Sequence, residues 1–211
     1  MSAADPSGLL AASFAAAVAA ADPAKVLPAQ LPDPQQLRRF GRTLVVGAGK
    51  AAASMARAVE AHWPADCPLS GVVVTRYGHG AACERIRVVE AGHPVPDEAG
   101  EAAARQILRE AQSLSENDLL LVLVSGGGSS LLSLPVAEVS MDDLRSVTRQ
   151  LLASGAPIQD INVVRKHLSQ IQGGRLAQAT PARVLALVIS EERRVGKECH
   201  LTCRSRWSPY H

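Results

Sequence analysis

The sequence lacks an excess of charge of either sign, a cysteine framework and any long hydrophobic run. Its 22 Lys+Arg and 20 Asp+Glu leave a formal net charge of +2 at pH 7 over 211 residues. Residues 1–190 carry 17 charges of each sign, so the surplus falls wholly in the last 21 residues, which hold five basic and three acidic side chains. The body therefore has no electrostatic footprint for nucleic acid or for an acidic membrane surface. Four cysteines (Cys67, Cys83, Cys199 and Cys203) are too sparse for a disulfide framework in a chain of this length. A reducing cytoplasm is the expected compartment. No apolar run reaches the roughly 18–20 residues that a membrane span needs. Met1–Ala4 has no basic residue and is followed by Asp5, so Leu9–Ala21 reads as an amphipathic first helix rather than a signal peptide. With 47% hydrophobic and 20% charged residues, the composition is that of a globular chain rather than a disordered one.

The pattern along the chain points to an α/β fold. After a helix over residues 8–21, four prolines (Pro23, Pro28, Pro32 and Pro34) predict an irregular connector over 22–36. Short apolar strands are then predicted at Thr43–Val46, Gly71–Thr75, Arg87–Val89, Leu119–Val124 and Arg183–Ile189. Helices are predicted at Ala51–His62, Asp97–Ser113, Met141–Ala153 and Ile161–Ile171; the second is acidic in its first turn, which suits the helix dipole. Strands that are apolar on both faces and separated by helices imply a doubly wound, mostly parallel sheet covered on both sides.

Four constellations could carry chemistry. The first is Gly47-Ala48-Gly49-Lys50, a glycine turn between a strand and a helix, where backbone amides and a helix N-terminus can face an anion. It is neither a Walker A motif nor a full dinucleotide fingerprint, because Ala51 follows Lys50 and the second strand ends at Thr75-Arg76 with no acid for a ribose. The second is Ser125-Gly126-Gly127-Gly128-Ser129-Ser130, directly after the most apolar strand. Three consecutive glycines flanked by hydroxyls suit a nest of amides for phosphate oxygens; the order of residues is wrong for a nucleophile elbow. The third runs from Asn162 to Arg175. A helix there places Asn162, Lys166 and Ser169 on one face, crowds Arg165, Lys166 and His167, and ends at Gly173-Gly174. The fourth is His93-Pro94-Val95-Pro96-Asp97, in which Asp97 can cap the next helix and His93 can either pack the loop or act as a base. His79, between two glycines, has similar options.

Read in order, V-V-G-A-G-K-A-A at 45–52, G-V-V-V-T-R-Y-G at 71–78, A-G-H-P-V-P-D at 91–97, S-G-G-G-S-S at 125–130 and N-V-V-R-K-H-L-S-x-I-x-G-G-R-L-A at 162–177 resemble the glycerate 2-kinase family of the MOFRL type over about residues 8–190. The resemblance implies a Rossmann-like N-terminal domain, a second α/β domain and an active site between them. It implies transfer of the ATP γ-phosphoryl group to the 2-hydroxyl of D-glycerate, with Mg2+. It makes Lys50 the catalytic lysine. Gly47, Gly49 and Ser125–Ser130 become nucleotide-binding, and Arg165, Lys166, His167, Ser169, Gly173, Gly174 and Arg175 become cleft residues. Family chains are about twice as long, and after V-L-A-L-V-I-S at 184–190 they carry an acidic loop suited to metal ligands. Here Glu191-Glu192-Arg193-Arg194 follows instead, so no metal ligand is assigned, and residues 191–211 are expected to be foreign to the fold. Cys199-His200 and Cys203 lack a second ligand pair at zinc spacing. The 211-residue chain by itself is expected to show little or no kinase activity. The alternatives are an NADP-dependent hydroxypyruvate reductase, with Arg76 near a 2′-phosphate, and a fragment that binds an anion without turnover.

Overall fold

The computed structural model describes residues 6–189 and the backbone of Arg204–Trp207. Five parallel strands form the sheet: β1 (Thr43–Ala48), β2 (Leu69–Arg76), β3 (Ile86–Ala91), β4 (Leu119–Val124) and β5 (Arg183–Val188). Their order is β3-β2-β1-β4-β5, and Arg204–Trp207 adds β6 antiparallel to β5. Four of the residues expected to stand outside the fold thus extend its sheet; the rest of that tail, with Cys199, His200 and Cys203, lies outside the described residues.

The strands form where apolar residues face both ways. In β1, Val45 joins one core with Leu121, Leu123, Leu185 and Leu187, while Leu44 and Val46 join the other with Val72, Val74 and Leu120. The helix Ala52–His62 covers the first face, and Glu98–Gln112 packs against the second. The doubly wound, mostly parallel architecture expected from the pattern is therefore observed.

In chain order the helices are α1 (Pro6–Ala20), α2 (Pro23–Val26), α3 (Pro34–Leu37), α4 (Ala52–His62), α5 (Glu98–Gln112), α6 (Gly128–Leu131), α7 (Met141–Ala153), α8 (Ile158–His167) and α9 (Arg175–Gln178). Two expectations need correction here. The segment 22–36 is not irregular: α2 and α3 each begin with proline at the first helical position, and the preceding Asp22 and Asp33 accept from Ala24 and Gln35 amides. Proline is well placed at the start of a helix, so the pairs Asp22-Pro23 and Asp33-Pro34 initiate rather than break. And α1 forms but buries none of its residues; Phe14 is 72% exposed. Alanine-rich propensity suffices for the helix, and no apolar face is turned inward.

The strand order reverses between β1 and β4. Open α/β sheets bind ligands at such a reversal, beyond the carboxyl ends of the strands. The loops that leave β1 and β4 are the two glycine segments singled out from the sequence.

Candidate functional site

The first glycine segment is already engaged within the fold. The Gly49 amide donates to Val74 O at 3.1 Å, the Lys50 amide to Gly126 O at 2.9 Å and the Ala52 amide to Gly49 O at 3.1 Å. The Ala51 amide donates to Ser125 Oγ at 3.0 Å. Gly47 is required by packing, since a Cβ there would collide with the Leu123 carbonyl of the neighbouring strand. Gly47 and Gly49 thus serve close approach of β1 to β4, and Ser125, only 7% exposed, caps the start of α4. What this segment leaves free is the exposed side chain of Lys50, which has no ion pair among the described residues.

The second segment is open. Among the described residues, the amides of Gly126, Gly127 and Ser129 donate to no acceptor. Gly127 has φ +86°, a left-handed conformation that suits glycine, and it starts the short α6. Gly128 lies tight against β1: a Cβ there would sit 2.8 Å from Ala48 O. Ser130 is buried, and its carbonyl accepts from Ser133 Oγ at 2.7 Å. Three unpaired amides next to Lys50 form a cradle suited to phosphate oxygens.

His93 closes the cradle from the loop after β3. Its Nε2 lies against Gly127, where a Cβ would come within 2.7 Å of it. Burial, then the positive charges of Lys50, Arg76 and Arg165, push its pKa below the ordinary histidine value. The loop is held by Asp97, which accepts from the Gly92 amide (2.9 Å), the Gly100 amide (3.0 Å) and Tyr77 Oη (2.7 Å). Burial alone would raise the Asp97 carboxyl; hydrogen bonds from Gly100, Tyr77 and Gly92 outweigh it and hold the pKa below the usual value. Arg145 Nε adds a bond to Pro96 O at 3.0 Å. The sequence motif at 91–97 was visible, but this clamp was not, because Tyr77 and Arg145 lie 20 and 48 residues from Asp97.

The third segment is not one helix. α8 ends at His167, so Ser169 does not share a helical face with Asn162 and Lys166; Ser169 bridges to Pro135 instead. Its Oγ accepts from the Ile171 and Gln172 amides, a local turn that competes with helix. Gly173 and Gly174 have φ +68° and +89°, and Gly174 precedes α9 rather than ending α8. Arg175 is spent on carbonyls, donating from Nη1 to Lys166 O at 2.6 Å and Ser169 O at 2.9 Å. His167 is exposed, with Nδ1 on Val163 O at 2.7 Å. Arg165 and Lys166 diverge. Arg165 is buried and within electrostatic reach of His93; Lys166 lines a cavity of about 550 Å³ over β1, β4 and β5. Val46, Val122 and Val184 also line that cavity, together with Ser129 and Asn162, whose buried Oδ1 has no partner among the described residues. Gln172, absent from the sequence-based candidates, ties this segment to the glycine loop: Nε2 donates to Ser129 O (2.7 Å) and Leu132 O (3.1 Å).

Comparison with known proteins places this geometry. A family described as "Domain of unknown function (DUF4147)" matches residues 9–191. The chain belongs to the DUF4147 family. Among DUF4147 relatives, a protein of Agrobacterium vitis named "Putative hydroxypyruvate reductase" is 52% identical over 179 residues, covering 84% of this chain and 40% of that protein. A "Glycerate 2-kinase" of Pyrococcus horikoshii is 44% identical over 151 residues, covering 72% of this chain and 34% of its own. The crystal structure of a glycerate kinase from Thermotoga maritima superposes with a TM-score of 0.73 at 43% identity, over 83% of this chain and 42% of that one. The resemblance to glycerate kinases and the α/β fold with a parallel sheet are thereby shown. This chain spans about two fifths of the length of the curated relatives it matches.

The glycine cradle fits ATP phosphates in its donor chemistry. Mg2+ is usually held by one or two carboxylates together with substrate phosphates and water; among the described residues no group of three or more His, Cys, Asp or Glu could hold a metal. Asp97, the carboxylate nearest the His93 loop, is occupied by three donors. No helix among the described residues is long and apolar enough to cross a membrane.

Proposed function

We propose that this chain carries the phosphoryl-binding half of a glycerate 2-kinase, which transfers the γ-phosphoryl group of ATP to the 2-hydroxyl of D-glycerate. The observation that carries the reading is the set of unpaired amides at Gly126, Gly127 and Ser129, beside Lys50, at the strand-order reversal. Phosphoryl transfer depends on positioning and on neutralising charge that spreads over the equatorial oxygens. Fixed amides do the first, and the Lys50 ammonium supports the second. Arg76 and Arg165 add positive field with no carboxylate paired to either among the described residues. A small soluble acid and ATP as reactants suit a cytoplasmic enzyme.

The names of relatives also support a second reading, reduction of hydroxypyruvate with NADPH. Against it, β2 ends at Thr75-Arg76 without a carboxylate for a ribose, and the open amides sit after β4 rather than after β1. Two assays separate the readings: ³¹P NMR of ATP with D-glycerate, and NADPH absorbance with hydroxypyruvate. Formation of 2-phosphoglycerate that disappears in Lys50→Met supports the kinase. Oxidation of NADPH by the wild-type chain, with no phosphoryl transfer, overturns it. The same chain should bind ATP even where turnover is slow, and Lys50→Met should weaken that binding.

A further inference from the structure

Arg165 is 7% exposed, yet its guanidinium has neither an ion pair nor a hydrogen bond among the described residues. A buried charge without a partner carries a desolvation cost, and nothing among the described residues returns it. Structural arginines in this chain look different: Arg175 places Nη1 on two loop carbonyls at 2.6 and 2.9 Å, and Arg145 holds Pro96 O and Asp142. Arg165 instead has basic groups in its surroundings: its helix α8 contacts α6, which starts at the glycine loop, and its charge acts on His93 together with those of Lys50 and Arg76.

Two anionic positions can be told apart there. Lys50 and the amides of Gly126, Gly127 and Ser129 make one, of the kind that suits a phosphoryl group. Arg165, on α8, supplies the other, a planar fork that matches a carboxylate with two parallel hydrogen bonds. His93 borders the first, with Nε2 against Gly127, and the charges of both Lys50 and Arg165 act on it. We infer that Arg165 binds the carboxylate of a short 2-hydroxy acid, so that the adjacent 2-hydroxyl is presented towards His93 and the glycine cradle. A three-carbon polyol without a carboxylate leaves Arg165 unpaired. The inference rests on the kinase reading and adds the acceptor's anchor.

The test uses the whole chain and its Arg165→Met and Arg165→Lys variants, with D-glycerate, glycerol and ATP titrated separately by calorimetry. For the wild type, D-glycerate binds, glycerol does not, and ATP binds. In Arg165→Met, D-glycerate affinity falls at least tenfold while ATP affinity stays within threefold; Arg165→Lys falls between. The melting temperature of Arg165→Met equals or exceeds that of the wild type, because an unpaired buried charge has gone. A strongly destabilised Arg165→Met makes the residue structural and overturns the inference. So does D-glycerate affinity that is unchanged in both variants, or a wild type that binds ATP but not D-glycerate. Absence of ATP binding to the wild type refutes the kinase reading itself, a separate outcome.

Discussion

Ser125→Ala tests the division of labour between the two glycine segments. Ser125 is the first residue of the most phosphate-like motif in the sequence, yet its Oγ accepts the Ala51 amide at 3.0 Å and is buried beneath Gly49. Removing the oxygen leaves the Ala51 amide, at the N-terminal end of α4, without its acceptor. Loss of such a cap costs about 0.5–2 kcal/mol, and a buried amide left unsatisfied costs about 1–3 kcal/mol. We expect about 1–2 kcal/mol, which for a domain of this size lowers Tm by about 2–8 °C. Urea melts followed by far-UV circular dichroism and by tryptophan fluorescence, with Trp63 buried against α4 as a probe, measure the loss. Phosphate or ATP affinity, measured well below the transition, should change less than about threefold, because the amides of the proposed phosphate site are those of Gly126, Gly127 and Ser129, not Ala51. Unchanged stability together with a tenfold loss of ATP affinity would refute the reasoning and return Ser125 to the ligand.

Gly127→Ala should lose both stability and ATP binding. The left-handed φ of +86° costs a side chain about 1–2 kcal/mol, and the new Cβ meets His93 Nε2 at 2.7 Å. Gly155→Ala, with φ +69° and open space around it, should show only the backbone part in the same urea melts. Asp97→Asn should destabilise by about 1–2 kcal/mol through the weakened cap on α5 and slacken the His93 loop. Because the folded Asp97 pKa is lowered, its contribution is present above the unfolded value of about 3.9 and fades as pH falls through the lower folded value. The wild-type-minus-variant difference, followed from pH 6 down to 2.5, should shrink accordingly. The His93 ring, followed by NMR, should titrate below the ordinary value of about 6.5, and added phosphate should raise it by offsetting the nearby cations. His93 therefore favours the folded state when neutral: its contribution is present above about pH 6.5 and lost as pH falls through the lower folded value. His93→Gln should flatten that part of the stability profile.

Apolar runs made the sheet legible. Leu119–Val124 is a strand to the residue because six consecutive apolar side chains, all buried or half-buried, leave no other placement for it. Asp97 was legible as a cap because capping is local, three residues from Asp97 Oδ1 to the Gly100 amide. Proline misled at 22–36, where the preceding aspartates decide between a break and a helix start. The candidate site was legible in its residue types and illegible in its assignment of roles. Both glycine segments have the composition of an anion cradle, but an amide can serve a ligand only if no carbonyl in the protein has taken it. That is settled by pairs such as Lys50 with Gly126 and Ala51 with Ser125, 76 and 74 residues apart, which no local spacing encodes. The first segment spends the amides of Lys50 and Ala51 on the second, whose own glycine at 127 turns left-handed under His93. The same rule separates Arg165 from Arg175. They are ten residues apart, but the carbonyls of Lys166 and Ser169 converge on Arg175, and among the described residues none reaches Arg165. A buried arginine becomes available to a ligand by what the fold withholds from it.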